Sequence, residues 1–300
     1  MRTFREAARG KEFVISTELF LVPESTGDTI CEQVRLLREH VDGILVTDNQ
    51  GGRLHLDPLA AAALVKAHGA DPILQLACRN RNRIALLAAL LGAAALGVSS
   101  LMLVRGNRVP EGLQPRSKGV FEVDAAELIA MAHRMKTDEN LPTPPDFYIG
   151  SIVTPHEPAP GWIPVQISRK AEAGVQFMLT HICMDMDVLR AYMKHLVAAG
   201  TPRQMSLFVT IAIPASAEDA RYLCRMRPHN RIPDALIERL ESADDPEQEG
   251  VDICAELLRE LTEVPGVRGA HLLPTRNLAA VNAVVEQAGL VRQATRPGGT

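Results

Sequence analysis

Pro72-Ile73-Leu74-Gln75-Leu76-Ala77-Cys78, a helical pattern over 83–96 and then Leu101-Met102-Leu103-Val104 follow one another in 33 consecutive positions, 72 to 104. From Ile84 to Val104 no residue is charged, and that length is close to what a bilayer span requires. Gly97 and the Val98-Ser99-Ser100 after it interrupt the run as a helix C-cap and a turn do. The segment therefore reads as strand, helix, strand, and not as a membrane helix.

The same alternation extends in both directions. Short apolar runs at 13–19, 43–48, 72–78, 101–104, 147–153, 176–183, 206–213 and 269–274 read as strands. Between them, apolar residues recur at i, i+3, i+4 and i+7 over 29–40, 58–68, 83–96, 125–136, 165–173, 186–199 and 278–288, with a long double segment over 217–262. Near-continuous apolar strands alternating with helices imply a parallel sheet with covered faces. Eight of them at this length favour a closed barrel over an open sheet. The glycine-rich fingerprint of an open dinucleotide-binding sheet is absent, since the first strand runs into Phe20-Leu21-Val22-Pro23. The expected fold is α/β: a single (β/α)8 TIM barrel over 1–291, with extra helix before the last strand and a frayed tail over 292–300.

Composition limits the function classes. The 300 residues are 46% hydrophobic and 23% charged, which excludes a disordered chain. A net charge of −4 and an aromatic content of 4% argue against a nucleic-acid binder. Cysteines stand at 31, 78, 183, 224 and 254. Their odd number and wide spacing speak against a disulfide framework or a zinc knuckle. Reduced thiols, and an N-terminus without the apolar segment of a secretory signal, lead us to expect a cytoplasmic protein.

In such a barrel the active site lies at the carboxyl ends of the strands. That rule selects Glu18, Thr47, Asp48, Gln75, Cys78, Arg105, Gly106, Asn107, Thr154, His156, His181, Asp185 and Arg276. Glu18 stands out, because a carboxylate on a barrel strand is costly to bury alone. It is either functional or salt-bridged, with Arg105 or Lys170 as partner. His181 is a ligand contact or a satisfied structural residue, and no second histidine at metal spacing accompanies it, so no metal is expected. Arg105-Gly106-Asn107 offers a cation, a close backbone approach and an amide, suited to a phosphate or a flat heterocycle. Cys78 and Cys183 read as packing residues.

Together these positions resemble the methylenetetrahydrofolate reductase family of flavin barrels. Thr17-Glu18-Leu19-Phe20 is similar to the family's Phe-Glu-Phe-Phe strand, and Leu76-Ala77-Cys78-Arg79-Asn80-Arg81-Asn82 to its Leu-Thr-Cys-Arg-Asp-Arg-Asn stretch. Leu103-Val104-Arg105-Gly106-Asn107 resembles its Arg/Thr-Gly-Asp turn, and Arg169-Lys170-Ala171-Glu172-Ala173-Gly174 with Leu179-Thr180-His181 its Lys-x-x-Ala-Gly-Ala…Thr-Gln element. Ile213-Pro214, Ile232-Pro233 and His271-Leu272-Leu273-Pro274 extend the likeness over about 12–290.

The resemblance implies flavin-dependent reduction of 5,10-methylenetetrahydrofolate to 5-methyltetrahydrofolate, with NAD(P)H as electron donor. Glu18 would act as the acid toward N10 of the folate. Thr47, Gln75, Arg105, Gly106, Asn107 and Lys170 would line FAD, and Glu18, Asn107 and His181 would meet the folate. The departures also matter. Asn107 replaces the family's aspartate near the flavin ring, His181 its glutamine, Gln75 a frequent histidine, and Ala217 the aromatic that stacks on nicotinamide. They leave open two alternatives: oxidation of 5-methyltetrahydrofolate in a demethylation pathway, or a flavin-free folate-binding or partner subunit. No nucleic-acid or membrane partner is expected; a homo-oligomer is compatible with the Ala-rich segment over 83–96.

Overall fold

The computed structural model describes residues 2–10, 12–109 and 117–291, so the expected tail over 292–300 lies outside the described residues. In chain order, α1 (Phe4–Arg9) precedes β1 (Val14–Glu18), α2 (Gly27–Leu37), β2 (Gly43–Val46), α3 (Pro58–Ala67) and β3 (Pro72–Ala77). Next come α4 (Arg83–Ala95), β4 (Ser100–Val104), α5 (Ala125–Arg134), β5 (Tyr148–Val153), α6 (Val165–Glu172), β6 (Phe177–Ile182) and α7 (Met186–Ala198). The last third holds β7 (Ser206–Ile213), α8 (Ala217–Met226), α9 (Asp234–Ser242), α10 (Pro246–Thr262), β8 (Val267–Pro274) and α11 (Ala279–Gln287).

The strands close into one parallel barrel in sequence order, with β8 returning to β1. Each expected strand forms, within a residue or two of its expected ends. The uncharged run divides into α4 and β4, and Gly97 takes the left-handed φ of +67° that ends the helix. No helix among the described residues is long and apolar enough to cross a membrane. The crossover between β7 and β8 holds three helices where the sequence suggested two. Pro233 and Pro246 separate them, Pro246 occupying the first turn of α10.

Side-chain caps start many of the helices. Asn82 accepts from Ala85 N at α4, Asp124 caps α5 in a reciprocal box with Glu127, and Asp185 accepts from Val188 N at α7. Asp185 thus serves the fold, although its position at the end of β6 had made it a site candidate.

One helix is absent from the sequence reading. α1 is six residues long, too short to show a period, and its trace in the sequence is the capping box Thr3/Glu6. It plugs the amino end of the barrel. Phe4 is fully buried, its ring 5.1 Å from that of Phe208 and 5.4 Å from that of Phe177, with Tyr148 stacked on Phe177 at 4.8 Å. Gly150 makes room for this cluster, since a Cβ there would lie 2.1 Å from the Phe177 ring. Leu45, Ile73, Met102 and Leu179 fill the lumen above the rings.

The outer core, between strands and helices, is mainly aliphatic, with methionines and the rings of Phe147 and Tyr192 among it. With the lumen closed and dry below, any ligand must enter from the carboxyl end. Phe4→Ala should cost about 3 kcal/mol or more by opening a cavity that surrounding strands cannot collapse into. Urea denaturation of the variant checks it; a loss below about 1 kcal/mol would show that α1 is not part of the core.

Candidate active site

Strand alternation dictates what reaches the mouth. Two residues beyond the lumen-filling Leu45, Ile73 and Leu179 stand Thr47, Gln75 and His181, and Glu18 ends β1 beside them. All four line an open cleft of about 780 Å³ at the carboxyl end, joined by Arg105, Gly106 and Asn107 from the turn after β4. The size is that of an ordinary small-molecule or cofactor site.

Glu18 lies on the cleft floor and is 7% exposed. Neither partner anticipated from the sequence reaches it. Arg105 stacks on the Phe121 ring at 4.5 Å, and Lys170 donates to the carbonyl of Ile152 at 2.5 Å. The charge that faces Glu18 instead comes from Arg227, after α8, and the His271 ring on β8 lies beside it, with Nε2 3.8 Å from Glu18 Oε2. His271 is 2% exposed and shares a 3.0 Å hydrogen bond between its Nδ1 and Ser16 Oγ, while its Nε2 has no hydrogen-bond partner. Ser16, His271 and Glu18 therefore form a line from the lumen to the cleft floor.

Asp48 organises the neighbouring side. Its side chain is fully buried and accepts from Ala77 N at 2.8 Å, Asn80 Nδ2 at 2.9 Å and Arg81 Nη1 at 2.5 Å. Arg79 donates to the carbonyls of Asp48 and Asn49, and Asp48 N donates to Gln75 Oε1. The Arg79-Asn80-Arg81 motif is thus spent on locking the turns after β2 and β3 together. Gly106 is required by the same packing. It has φ +82°, and a Cβ there would stand 2.9 Å from Arg79 Cβ. With its Oε1 engaged, Gln75 keeps its amide NH2 for the cleft.

The rim is closed between two loops. Asn49, left-handed at φ 49°, donates its N–H to His55 Nε2, and Arg53 donates to the Tyr222 hydroxyl of α8 at 2.5 Å. Tyr222 brings an aromatic ring into the cleft one turn beyond Ala217, which is buried at the start of α8. Arg276 is held by Asp219 through its Nε and Nη2.

Lys170, Thr154 and His156 lie elsewhere. They line a side cavity of about 430 Å³ that adjoins the cleft at Ile152. Its walls are aromatic: the His156 ring is 4.8 Å from Trp162 and 5.2 Å from Tyr192. Burial lowers the pKa of Lys170 and raises that of Tyr192. Cys78 and Cys183 are fully buried, their thiols pushed up to about 11 and about 12 by burial. They are packed, protonated thiols and not nucleophiles.

Sequence reasoning missed Arg227, Asn230, Tyr222 and the cleft role of His271. None of the first three sits at a strand end; the chain after β7 folds back over the mouth and delivers them.

A parallel eight-stranded barrel with a buried carboxylate in an open cleft at the mouth of its first strand defines the class: a (β/α)8 barrel with a candidate ligand site at its carboxyl end. Comparison with known proteins specifies it: methylenetetrahydrofolate reductase is the family whose profile matches, over residues 3–289, and the chain belongs to that family. No curated protein matches the chain. Among solved structures, an uncharacterized protein from Clostridium thermocellum that binds two copies of 5-methyl-5,6,7,8-tetrahydrofolic acid is similar, with a TM-score of 0.66 and 11% identity over 95% of this chain and 96% of that one. A tryptophan synthase from M. tuberculosis follows at TM-score 0.53 and 12% identity, over 97% of both chains. At these identities the likeness is one of fold.

His181 is held neutral. Burial, with the charges of Arg227 and Lys170 and the His229 ring nearby, depresses its pKa to about 4 from an ordinary 6.5. The unfolded chain therefore takes up this proton first. The contribution of His181 to stability is whole above pH 6.5 and is lost as pH falls toward 4. NMR titration of its imidazole, assigned by His181→Gln, should give a midpoint below 5; a midpoint above 6 would show an imidazolium in the cleft.

Proposed function

We propose that the cleft binds a reduced folate and that the chain reduces 5,10-methylenetetrahydrofolate to 5-methyltetrahydrofolate, drawing electrons from NAD(P)H through FAD. Glu18 carries the reading: a buried carboxyl group on the cleft floor, backed by His271 and Ser16, in a member of this family. The 5-methyltetrahydrofolic acid bound by the Clostridium thermocellum barrel supports the same ligand class.

The chemistry asks for one proton and one hydride. A proton from Glu18 to N10 lets the bond between N10 and the methylene carbon break, leaving an iminium at N5. Hydride addition to that carbon then gives the methyl group. A positioned acid of this kind contributes about 10²–10⁴-fold. Glu18 must afterwards regain its proton, and His271 stands behind it as the nearest carrier. Its Nδ1 is tied to Ser16, so its Nε2 is the atom turned toward the carboxylate. His181, neutral and free of hydrogen bonds among the described residues, can donate to or accept from a ring without adding charge.

FAD, when bound, supplies the hydride chemistry that no side chain offers. The residues present fit it. Gln75 presents an amide donor to a flat ring, and Arg105, which has no carboxylate partner among the described residues, stands at the rim beside Asn107. Thr47 lines the same wall. On this reading the rest of a dinucleotide would extend into the adjoining side cavity, with Lys170 toward a phosphate and Trp162, His156 and Tyr192 as its walls.

Glu18→Gln should lower folate reduction by about 10²-fold or more while NADH still bleaches a bound flavin anaerobically. Full folate turnover in that variant would remove Glu18 as the acid. Trp162 is the sole tryptophan, so its emission reports on the side cavity. ADP, which does not absorb there, should shift that emission saturably and compete with FAD. An unchanged spectrum, with FAD binding indifferent to ADP, would detach the side cavity from the cofactor.

A further inference from the structure

Among the described residues three carboxylates line the cleft, and two of them are fully engaged. Asp48 is taken up by Ala77, Asn80 and Arg81, and Asp219 by Arg276 and Thr275. Glu18 is the third. Asn107, where the family resemblance leads one to look for another, is an exposed neutral amide. A heterocycle with N–H groups along one edge must therefore find its acceptor elsewhere on the cleft wall.

The turn after α8 provides one. Asn230 is 8% exposed, lines the cleft, and donates its Nδ2 to the carbonyl of Leu223 at 2.9 Å. That carbonyl can only accept, so the nitrogen end of the amide is tied down and the oxygen is the other end. Asn230 Oδ1 is buried without a hydrogen-bond partner among the described residues. Three residues earlier, Arg227 is half-buried on the same wall, and its guanidinium makes no hydrogen bond or ion pair among the described residues. Backbone fixes the two together: Asn230 N donates to Arg227 O at 2.9 Å. A buried acceptor without a partner and a desolvated guanidinium whose N–H groups are unbonded, with only the more distant charge of Glu18 facing it, are each costly. A ligand that brings a donor to one and an acceptor to the other relieves both.

We propose that Asn230 and Arg227 read the lactam edge of the substrate's pterin ring, Asn230 Oδ1 accepting from a ring N–H or the 2-amino group and Arg227 donating to the 4-oxo oxygen. The proposal rests on the folate reading above and assigns ring specificity to a turn outside the strand ends. The carboxamide of nicotinamide presents the same pairing of N–H and carbonyl, so a test must separate the two sources.

Isothermal titration of the full chain separates them, with 5-methyltetrahydrofolate, its 4-amino-4-deoxy analogue and NADH as ligands. The analogue turns the 4-position from acceptor into donor. Wild type should prefer the 4-oxo ligand on the order of tenfold or more. Arg227→Met should bring that ratio near one, Arg227→Lys should restore part of it, and NADH affinity should hold in both. A ratio unchanged by Arg227→Met overturns the proposal alone. So does weakened NADH binding with folate affinity intact, which would give the edge to nicotinamide. Failure of wild type to bind either folate overturns the folate reading and this proposal with it. Because the Arg227 guanidinium donates no hydrogen bond among the described residues, and its backbone bond to Leu223 O survives substitution, Arg227→Met leaves the turn in place; equal melting temperatures of wild type and variant confirm that the ratio reports recognition.

Discussion

Closure of eight parallel strands around a filled lumen is the constraint from which the site follows. Side chains alternate between lumen and helix layer, so each strand sends every second residue inward. At the amino end these positions and the α1 plug hold Phe4, Tyr148, Phe177 and Phe208. Four of the chain's few aromatic rings are used there, and the core between strands and helices is mainly aliphatic, with Phe147 and Tyr192 as its buried rings. One step further up, the same rows deliver Thr47, Gln75, His181, His271 and Glu18. A polar residue in the lower layers would be buried without water. In the upper layer it meets solvent and ligand, which is why chemistry is confined to one end.

Polar residues at that end divide by whether they are satisfied. The Asp48 side chain has lost all contact with water, and three donors, one of them the half-buried Arg81, repay that loss. Its network ties the turns after β2 and β3 so firmly that Gly106 of the next turn must be a glycine to fit beside Arg79. Asp219 and Arg276 are matched in the same way on the opposite rim. These groups hold the shape of the mouth. His271 Nε2, Asn230 Oδ1 and the Arg227 guanidinium make no hydrogen bond among the described residues, and all three residues line the cleft, His271 and Arg227 facing Glu18.

The fold was legible because its signal is repeated eight times. Each strand is a short apolar run, each helix an amphipathic or Ala-rich pattern with a stop, and an error of one or two residues at an end changes nothing in the topology. α1 escaped because six residues cannot show a period, although Thr3 and Glu6 already marked its start. The site was legible as far as the strand-end rule reaches. Glu18, Thr47, Gln75, Arg105, Gly106, Asn107 and His181 do converge on one cleft, while Lys170, carried on α6 and not on a strand, opens into the adjoining cavity. Arg227 and Asn230 had no local mark at all. Their place depends on how far α8 runs before the chain turns back, a property of tertiary packing.

Motif likeness and physical role are therefore different measures of a residue. The run from Leu76 to Asn82 is among the strongest points of resemblance to the family, yet its polar side chains face Asp48 and the turns it binds, leaving little to offer a ligand. Arg227-Pro228-His229-Asn230 carries no such likeness, yet it presents an unengaged cation and an unengaged acceptor to the cleft. A barrel that keeps its scaffold motif can change its ring contacts without disturbing the fold, because the two sets share no hydrogen bond. Gln75 belongs to the first set through the hydrogen bond its Oε1 accepts from Asp48 N, whereas the departures at Asn107 and His181 fall in the second. They alter what the mouth can recognise while the network that shapes it stays whole.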